Sequence, residues 1–327
     1  MKRLTGRRLA AGLAALAVAL GLAVALGLAA GPAGPGASSE IVLGIRLPRV
    51  VLAALVGASL AVAGTAFQAL LRNPLADPFI LGVSGGAAVG AVAVLVAGVG
   101  ATYLAVHIAT PLAAFAGGTA ATFLVHALAR GRAAGEGERL LLTGVVVNAF
   151  LSALILLLNH LAPPGRRVAI LGWLMGDLQR LPAGLAGLGP LAVAAALGLA
   201  TFVALARDLD LISLGERAAA PLGVDVARTR TAAFFAGSLL AGAAVAYSGL
   251  VGFVGLIVPH ILRRALGPDH RLLIPAAFLG GAAFLVVADA LARSLLGPEE
   301  LPVGIVTALC GGPFFLALLL GGRRRGP

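Results

Sequence analysis

Lysine is nearly missing from this chain of 327 residues: Lys2 is the only one. A P-loop nucleotidase needs G-x-x-x-x-G-K-[ST], with the lysine reaching the phosphates. These residues therefore carry no P-loop of their own, and any ATP-driven process would need a separate nucleotidase. Cysteine is equally scarce, with Cys310 alone, which excludes an intrachain disulfide. Charged residues make up 11% and hydrophobic residues 60%. A soluble protein of that make-up has too little polar surface to cover its core, so the chain belongs in a bilayer.

What is present is apolar chain in membrane-sized pieces. Ten segments approach the roughly 20 residues that a helical span needs: near 9 to 30, 50 to 71, 79 to 99, 104 to 129, 140 to 160, 186 to 206, 231 to 249, 253 to 266, 273 to 295 and 302 to 321. The eighth is short. The first follows a basic stretch, MKRLTGRR, and precedes small residues, as a secretory leader does. Its apolar core exceeds the ~7 to 15 residues of such a leader, so it is read as a retained helix.

The net charge of +11 is read as a sidedness signal, because basic residues collect on cytoplasmic loops. With both termini cytoplasmic, 18 of the 24 basic residues fall inside. Arg46, Arg49, Arg166, Arg167, Arg180 and Arg293 are left outside. This bias has the expected sign for ten spans.

The stretch GLVGFVGLIVPHILRR, 249 to 264, breaks its own hydrophobic run with Gly249, Gly252, Gly255 and Pro259. Broken backbone at membrane depth is tolerated only where protein or a water-filled cavity surrounds it. That places the elbow inside the bundle, either as a functional re-entry or as a tight packing kink. Gly82, Gly86 and Gly90 recur every fourth residue and form a ridge for close helix approach. In segment five, Asn148, Ser152 and Asn159 share a face with Gly144 and Ile155. Polar groups there either bond to a neighbouring helix or line a solute path.

Carboxylates are nearly absent from the spans. Asp289 is the exception, with Arg293 at i+4, a spacing that favours a helical ion pair. An ion-coupled carrier would have only Asp289 to work with. The longest polar connection on the cytoplasmic side, 207 to 230, mixes charges with Leu211, Leu214, Leu222 and Val226. Such an amphipathic piece suits a groove on a soluble partner.

Three long stretches, RLPRVVLAALVGASLAVAGTAFQALLRNPLADPFILGVSGGA at 46 to 87, GLVGFVGLIVPHILRRALGPDHRLLIPAAFLGGAAFLVVADALAR at 249 to 293 and ELPVGIVTALCGGPFFLALLL at 300 to 320, resemble the FecCD family. Its members are the membrane permeases of ABC importers for iron-siderophores, haem and vitamin B12. The resemblance implies one all-α polytopic permease domain over 1 to 327, with about ten transmembrane helices and a coupling loop near 207 to 230. It places the chain in the bacterial inner membrane as part of a dimer, with two ABC ATPase subunits below and a periplasmic or lipid-anchored binding protein above. No cofactor and no nucleic acid is implied.

Residue by residue, the resemblance makes Arg46, Arg49 and Arg293 contacts for the binding protein. It makes Gly215, Glu216, Ala220, Leu222 and Gly223 the surface that couples to the ATPase. It also makes Asn148, Ser152, Asn159 and Thr307 pathway residues, and Gly137 and Glu138 the cytoplasmic gate, where relatives often carry small hydroxyl residues. His260 and His270 with Asp269 invite a metal reading, but a metal site along the route would trap the solute. His260 is expected to bond backbone freed by Pro259, and His270 to sit at the headgroup or ATPase surface. Arg166 and Arg167 are expected near the mouth of the path. The rival reading is a secondary carrier built on Asp289; the cargo that the resemblance implies is an iron chelate, siderophore or haem, or vitamin B12.

Overall fold

The fold is that of a computed structural model, which describes residues 6–31, 34, 36–98, 108–129, 136–179, 184–296 and 299–322. In chain order the helices are α1 (Gly6–Ala29), α2 (Ser39–Ile41), α3 (Leu47–Leu70), α4 (Val83–Ala97), α5 (Thr110–Ala129) and α6 (Glu136–Leu161). They continue as α7 (Pro164–Leu174), α8 (Gly189–Ser213), α9 (Glu216–Ala219), α10 (Val226–Ser248), α11 (Val254–Leu266), α12 (His270–Ala292) and α13 (Val303–Gly322). Among the described residues, seven of these helices are long and apolar enough to cross a membrane. The short α4 and α11, together with α13, fill the three remaining places among the ten apolar segments. The sequence did not single out α7, whose eleven residues begin with Pro164.

α3 is the axis of the bundle. It runs against α12, α10, α8 and α11, and 20 of its residues are buried. A helix buried on every side needs small residues where neighbours cross it. Gly57 lies against the Gly281 backbone of α12, and Gly64 against the Gly255 backbone of α11. A methyl group at any of these four positions would meet main-chain atoms that cannot swing aside.

The Gly82, Gly86 and Gly90 ridge divides in two. Gly86 meets Gly117 and Gly90 meets Ala113, bringing α4 and α5 into backbone contact. Gly82, with φ of 85°, instead closes the turn Pro78–Leu81 before α4 begins, a left-handed conformation that favours glycine. Ahead of that turn, Asp77 accepts a hydrogen bond from the Phe79 amide at 2.8 Å. Burial pushes the Asp77 carboxyl up to about 6.

Candidate functional site: the rim arginines, the elbow and the coupling loop

The chain between α1 and α3 enters through a widened π-helical turn, Val42–Arg46. Arg46 and Arg49 then follow one helical turn apart. Arg46 NH1 donates to the carbonyls of Leu28 at 2.7 Å and Ala29 at 3.1 Å, and NH2 to Gly34 at 2.9 Å. Arg293, just past α12, donates to Gly27 O at 2.9 Å and Ala30 O at 3.0 Å. A helix leaves its last carbonyls without partners and carries partial negative charge there. Two arginines from elsewhere in the chain thus cap α1.

Arg49 bridges two acids. Its Nε and NH2 lie 3.0 and 2.9 Å from Asp289 Oδ1. Its NH1 lies 2.6 Å from Glu300 Oε2, which also accepts from Gln179 at 3.0 Å. Arg293 Nε holds the other Asp289 oxygen at 3.0 Å, the i, i+4 pair expected from the spacing. The exposed setting expected for Arg46, Arg49 and Arg293 is not observed: they are 4%, 7% and 3% exposed. The reason is local demand, because orphan carbonyls and a fully buried carboxylate need donors more than water does.

Arg166 and Arg167 repeat the pattern. From α7, Arg166 donates to Val96 O at 2.7 Å, in the last turn of α4. Arg167 donates to His160 O at 3.0 Å and Ala162 O at 3.2 Å, at the end of α6. Among the described residues of the outer set, four arginines therefore serve helix C-termini and Arg49 serves carboxylates. Arg180 lies outside the described residues.

The elbow is buried as its composition demanded. Residues 249 to 253 leave helical geometry, and Gly249 and Val251 are buried. Gly249 sits against the Trp173 carbonyl, Gly304 of α13 against the carbonyls of Met175 and Leu250, and Gly311 against the Phe253 ring. The Asp177 amide donates to Ser248 O at 2.8 Å. Phe253 has φ of 69°, an unusual conformation for a bulky residue and one sustained only by surrounding contacts.

Pro259 lies inside α11, where it has no N–H for the Gly255 carbonyl. Gln68 Nε2 donates to that carbonyl at 3.2 Å, and Gln68 Oε1 accepts from Arg263 at 2.8 Å. This task was expected of His260, which instead stands edge-on to Phe314 with centroids 5.7 Å apart. An imidazole on the turn following Pro259 faces α13 rather than the carbonyl one turn back. His270 is also placed differently: it is 3% exposed. Its backbone amide and Nδ1 lie 2.9 and 2.6 Å from Asp210 Oδ1. Asp269 caps α12 by accepting from the Arg271 amide at 2.9 Å. Among the described residues no group of three or more His, Cys, Asp or Glu side chains is arranged to hold a metal.

The four candidate pathway residues do not converge within one chain. α6 packs on α4 and α5, whereas α13 packs on α12 and α11. Asn148 is half-buried against Gly85 of α4. Ser152 is exposed and bonds back to Asn148 O at 2.8 Å. Asn159 is half-buried. Thr307 is fully buried and bonded to Gly304 O at 3.1 Å. The face shared by Gly144, Asn148 and Ile155 is largely a packing face, with Gly144 against the Ile80 carbonyl. Of the gate pair, Gly137 and Glu138 fall in the first turn of α6. The Glu138 side chain and the surroundings of Gly137 lie outside the described residues.

The cytoplasmic connection expected to couple to an ATPase is folded. Gly215 has φ of 119° and Gly223 of 84°, bracketing α9 and the turn Ala220–Leu222. Ile212, Ala219 and Val224 form a small core, with Leu211 and Val226 packed on it. Leu214 and Leu222 stay 72% and 54% exposed, and Ala220 and Gly223 are also exposed. The backbone of Glu216 starts α9; its side chain lies outside the described residues.

Known proteins resemble this chain over most of its length. The FecCD transport family matches residues 8–321. The hemin transport system permease protein HmuU of Yersinia pestis is 42% identical over 291 residues, covering 88% of this chain and 85% of that one. The cobalamin import system permease protein BtuC of Halobacterium salinarum is 45% identical over 291 residues, covering 86% and 74%. A solved structure described as an inward-facing metal-chelate type ABC transporter superposes with a TM-score of 0.84 at 31% identity, covering 95% of this chain and 99% of that one.

Proposed function

The chain belongs to the FecCD transport family, and from that premise we propose that it is the transmembrane permease subunit of an ATP-driven importer. Its cargo is an iron chelate, haem or vitamin B12, handed over by a binding protein and moved by alternating access. The observation that carries this reading is the match, in sequence and in fold, to permeases of ABC importers across nearly the whole chain. The chain is a multi-pass inner-membrane protein. The charge bias of its loops supports cytoplasmic termini, and the absence of a P-loop lysine from this sequence supports ATP hydrolysis by a separate subunit.

Within that reading Leu214, Ala220, Leu222 and Gly223 offer an exposed apolar surface to the ATPase, and Gly215 and Glu216 frame it. Two copies of the chain assemble around a path to which Ser152 contributes directly. Asn148, Asn159 and Thr307 contribute by holding the helices beside it, and Gly137 and Glu138 close the cytoplasmic end. Arg46, Arg49 and Arg293 serve docking by fixing the shape of the rim rather than by offering free guanidinium groups; their buried partners support this. The carrier alternative is disfavoured because Asp289 is neutralised by two arginines and fully buried.

The test is gentle extraction of the tagged chain and identification of what accompanies it. An equimolar P-loop ATPase and a chelate-binding protein are expected. A chain isolated alone that still drives uptake of haem or ferric siderophore on a proton gradient overturns the proposal.

A further inference from the structure

α12 is fastened at both ends by different chemistry. At its start, one oxygen of Asp210 takes both the main-chain amide and the ring Nδ1 of His270, at 2.9 and 2.6 Å. Asp210 lies in the last turn of α8, five residues before Gly215 and the loop that displays Leu214 and Leu222. At its far end, Asp289 and Arg293 tie α12 to Arg49 of α3 and to the end of α1. Between the two, Gly57 and Gly281 bring the backbones of α3 and α12 into contact, which leaves little room for the pair to slide. A rise of about 1.5 Å per residue puts the two fastenings roughly 28 Å apart along one helix.

We propose that the Asp210–His270 contact is the latch through which movement of the coupling loop reaches the opposite rim, with α12 as the rod. This rests on the permease reading above. His270 is a positioning residue, acting through its contact with Asp210. A double acceptor at a helix start resists both pulling and rotation, because shifting α12 breaks two hydrogen bonds at once. Coupling between distant sites requires an element whose position both ends bias. Here that element has a defined attachment to the loop at Asp210 and to the rim at Asp289.

The variants are His270→Leu, which removes the ring donor, and His270→Asn, which keeps a donor close to the position of Nδ1. Both are prepared in a Cys310→Ser background and assembled with the copurifying ATPase. Spin labels at Ala227 report the coupling end and labels at Leu295 the rim, each read as the distance between copies with and without ATP and vanadate. In the wild type both distances shift. His270→Leu is expected to keep ATP hydrolysis and the shift at Ala227 and to lose at least half of the shift at Leu295, with His270→Asn restoring it. A His270→Leu complex in which both distances shift as in the wild type overturns the latch. Asp210→Ala cuts the same contact from a side chain that is already 30% exposed, and it answers the question should His270→Leu not assemble. If no ATPase accompanies the wild-type chain, the permease reading fails before any variant is made, so the two failures are distinct.

Discussion

Gln68 of α3 completes the helix that Pro259 interrupts in α11. The Gly255 carbonyl, which a non-proline residue at 259 would have bonded, takes the Gln68 amide at 3.2 Å instead, while Arg263 fixes the orientation of that amide at 2.8 Å. The contact spans 187 residues of sequence. It makes the elbow before α11 a fixed bend in the bundle.

Gln68→Leu should leave a buried carbonyl and the Arg263 guanidinium both short of a partner. An unsatisfied buried polar group costs about 1–3 kcal/mol, more for a charge. A drop in the thermal unfolding midpoint of the purified chain is expected, with increased proteolysis near 249 to 259. An unchanged midpoint would show that water replaces Gln68 at no cost.

Asp289→Leu leaves Arg49 with Glu300 and Arg293 with the α1 carbonyls but removes the buried carboxylate between them, and breaking such a pair costs about 3–5 kcal/mol. The double variant Arg49→Leu, Asp289→Leu should recover part of that loss, because it removes both charges together. Chemical denaturation of the wild type, the two single variants and the double variant closes the cycle. Additive losses would mean that the 2.9 Å pair contributes no coupling.

Arg46→Ala should free the carbonyls of Leu28 and Ala29 and fray the end of α1. Hydrogen exchange at residues 24 to 30 should quicken several-fold, while exchange in α10 stays unchanged. If exchange is unaltered and binding-protein affinity at low salt falls instead, Arg46 is a direct docking contact and the capping role is secondary.

Asp77 gives a pH signature. Its native carboxyl is raised from 3.8 to about 6 by burial, so the folded state holds the proton where the unfolded chain has released it. Stability from this group is therefore full below about pH 4, declines as pH rises toward 6, and is flat above. Asp77→Asn keeps an acceptor for the Phe79 amide and has no charge to bury. Its midpoint should gain on the wild type steadily from pH 4 to pH 6.5 and then stay higher by a constant amount. Parallel pH profiles would refute the raised carboxyl.

Composition by itself settled a great deal. Sixty per cent hydrophobic residues and 11% charge leave no way to hide the chain from lipid, and the apolar run lengths locate all ten segments, since a bilayer imposes its thickness on every helix alike. Gly249, Gly252 and Pro259 likewise announce a break that must be buried, because broken backbone has no partner in hydrocarbon. What only the tertiary structure decided is the partner of each polar group. In sequence Arg46 looks like a free outer charge and Arg293 like a partner of Asp289 alone, yet both donate to carbonyls at the end of α1, Ala29 and Ala30, 17 and 263 residues away from them. His270 looks like a surface residue, yet it closes on Asp210 60 residues earlier. Hydrophobic length is a property of one segment and can be read along the chain. A hydrogen bond belongs to two groups, and which two meet depends on how the helices pack.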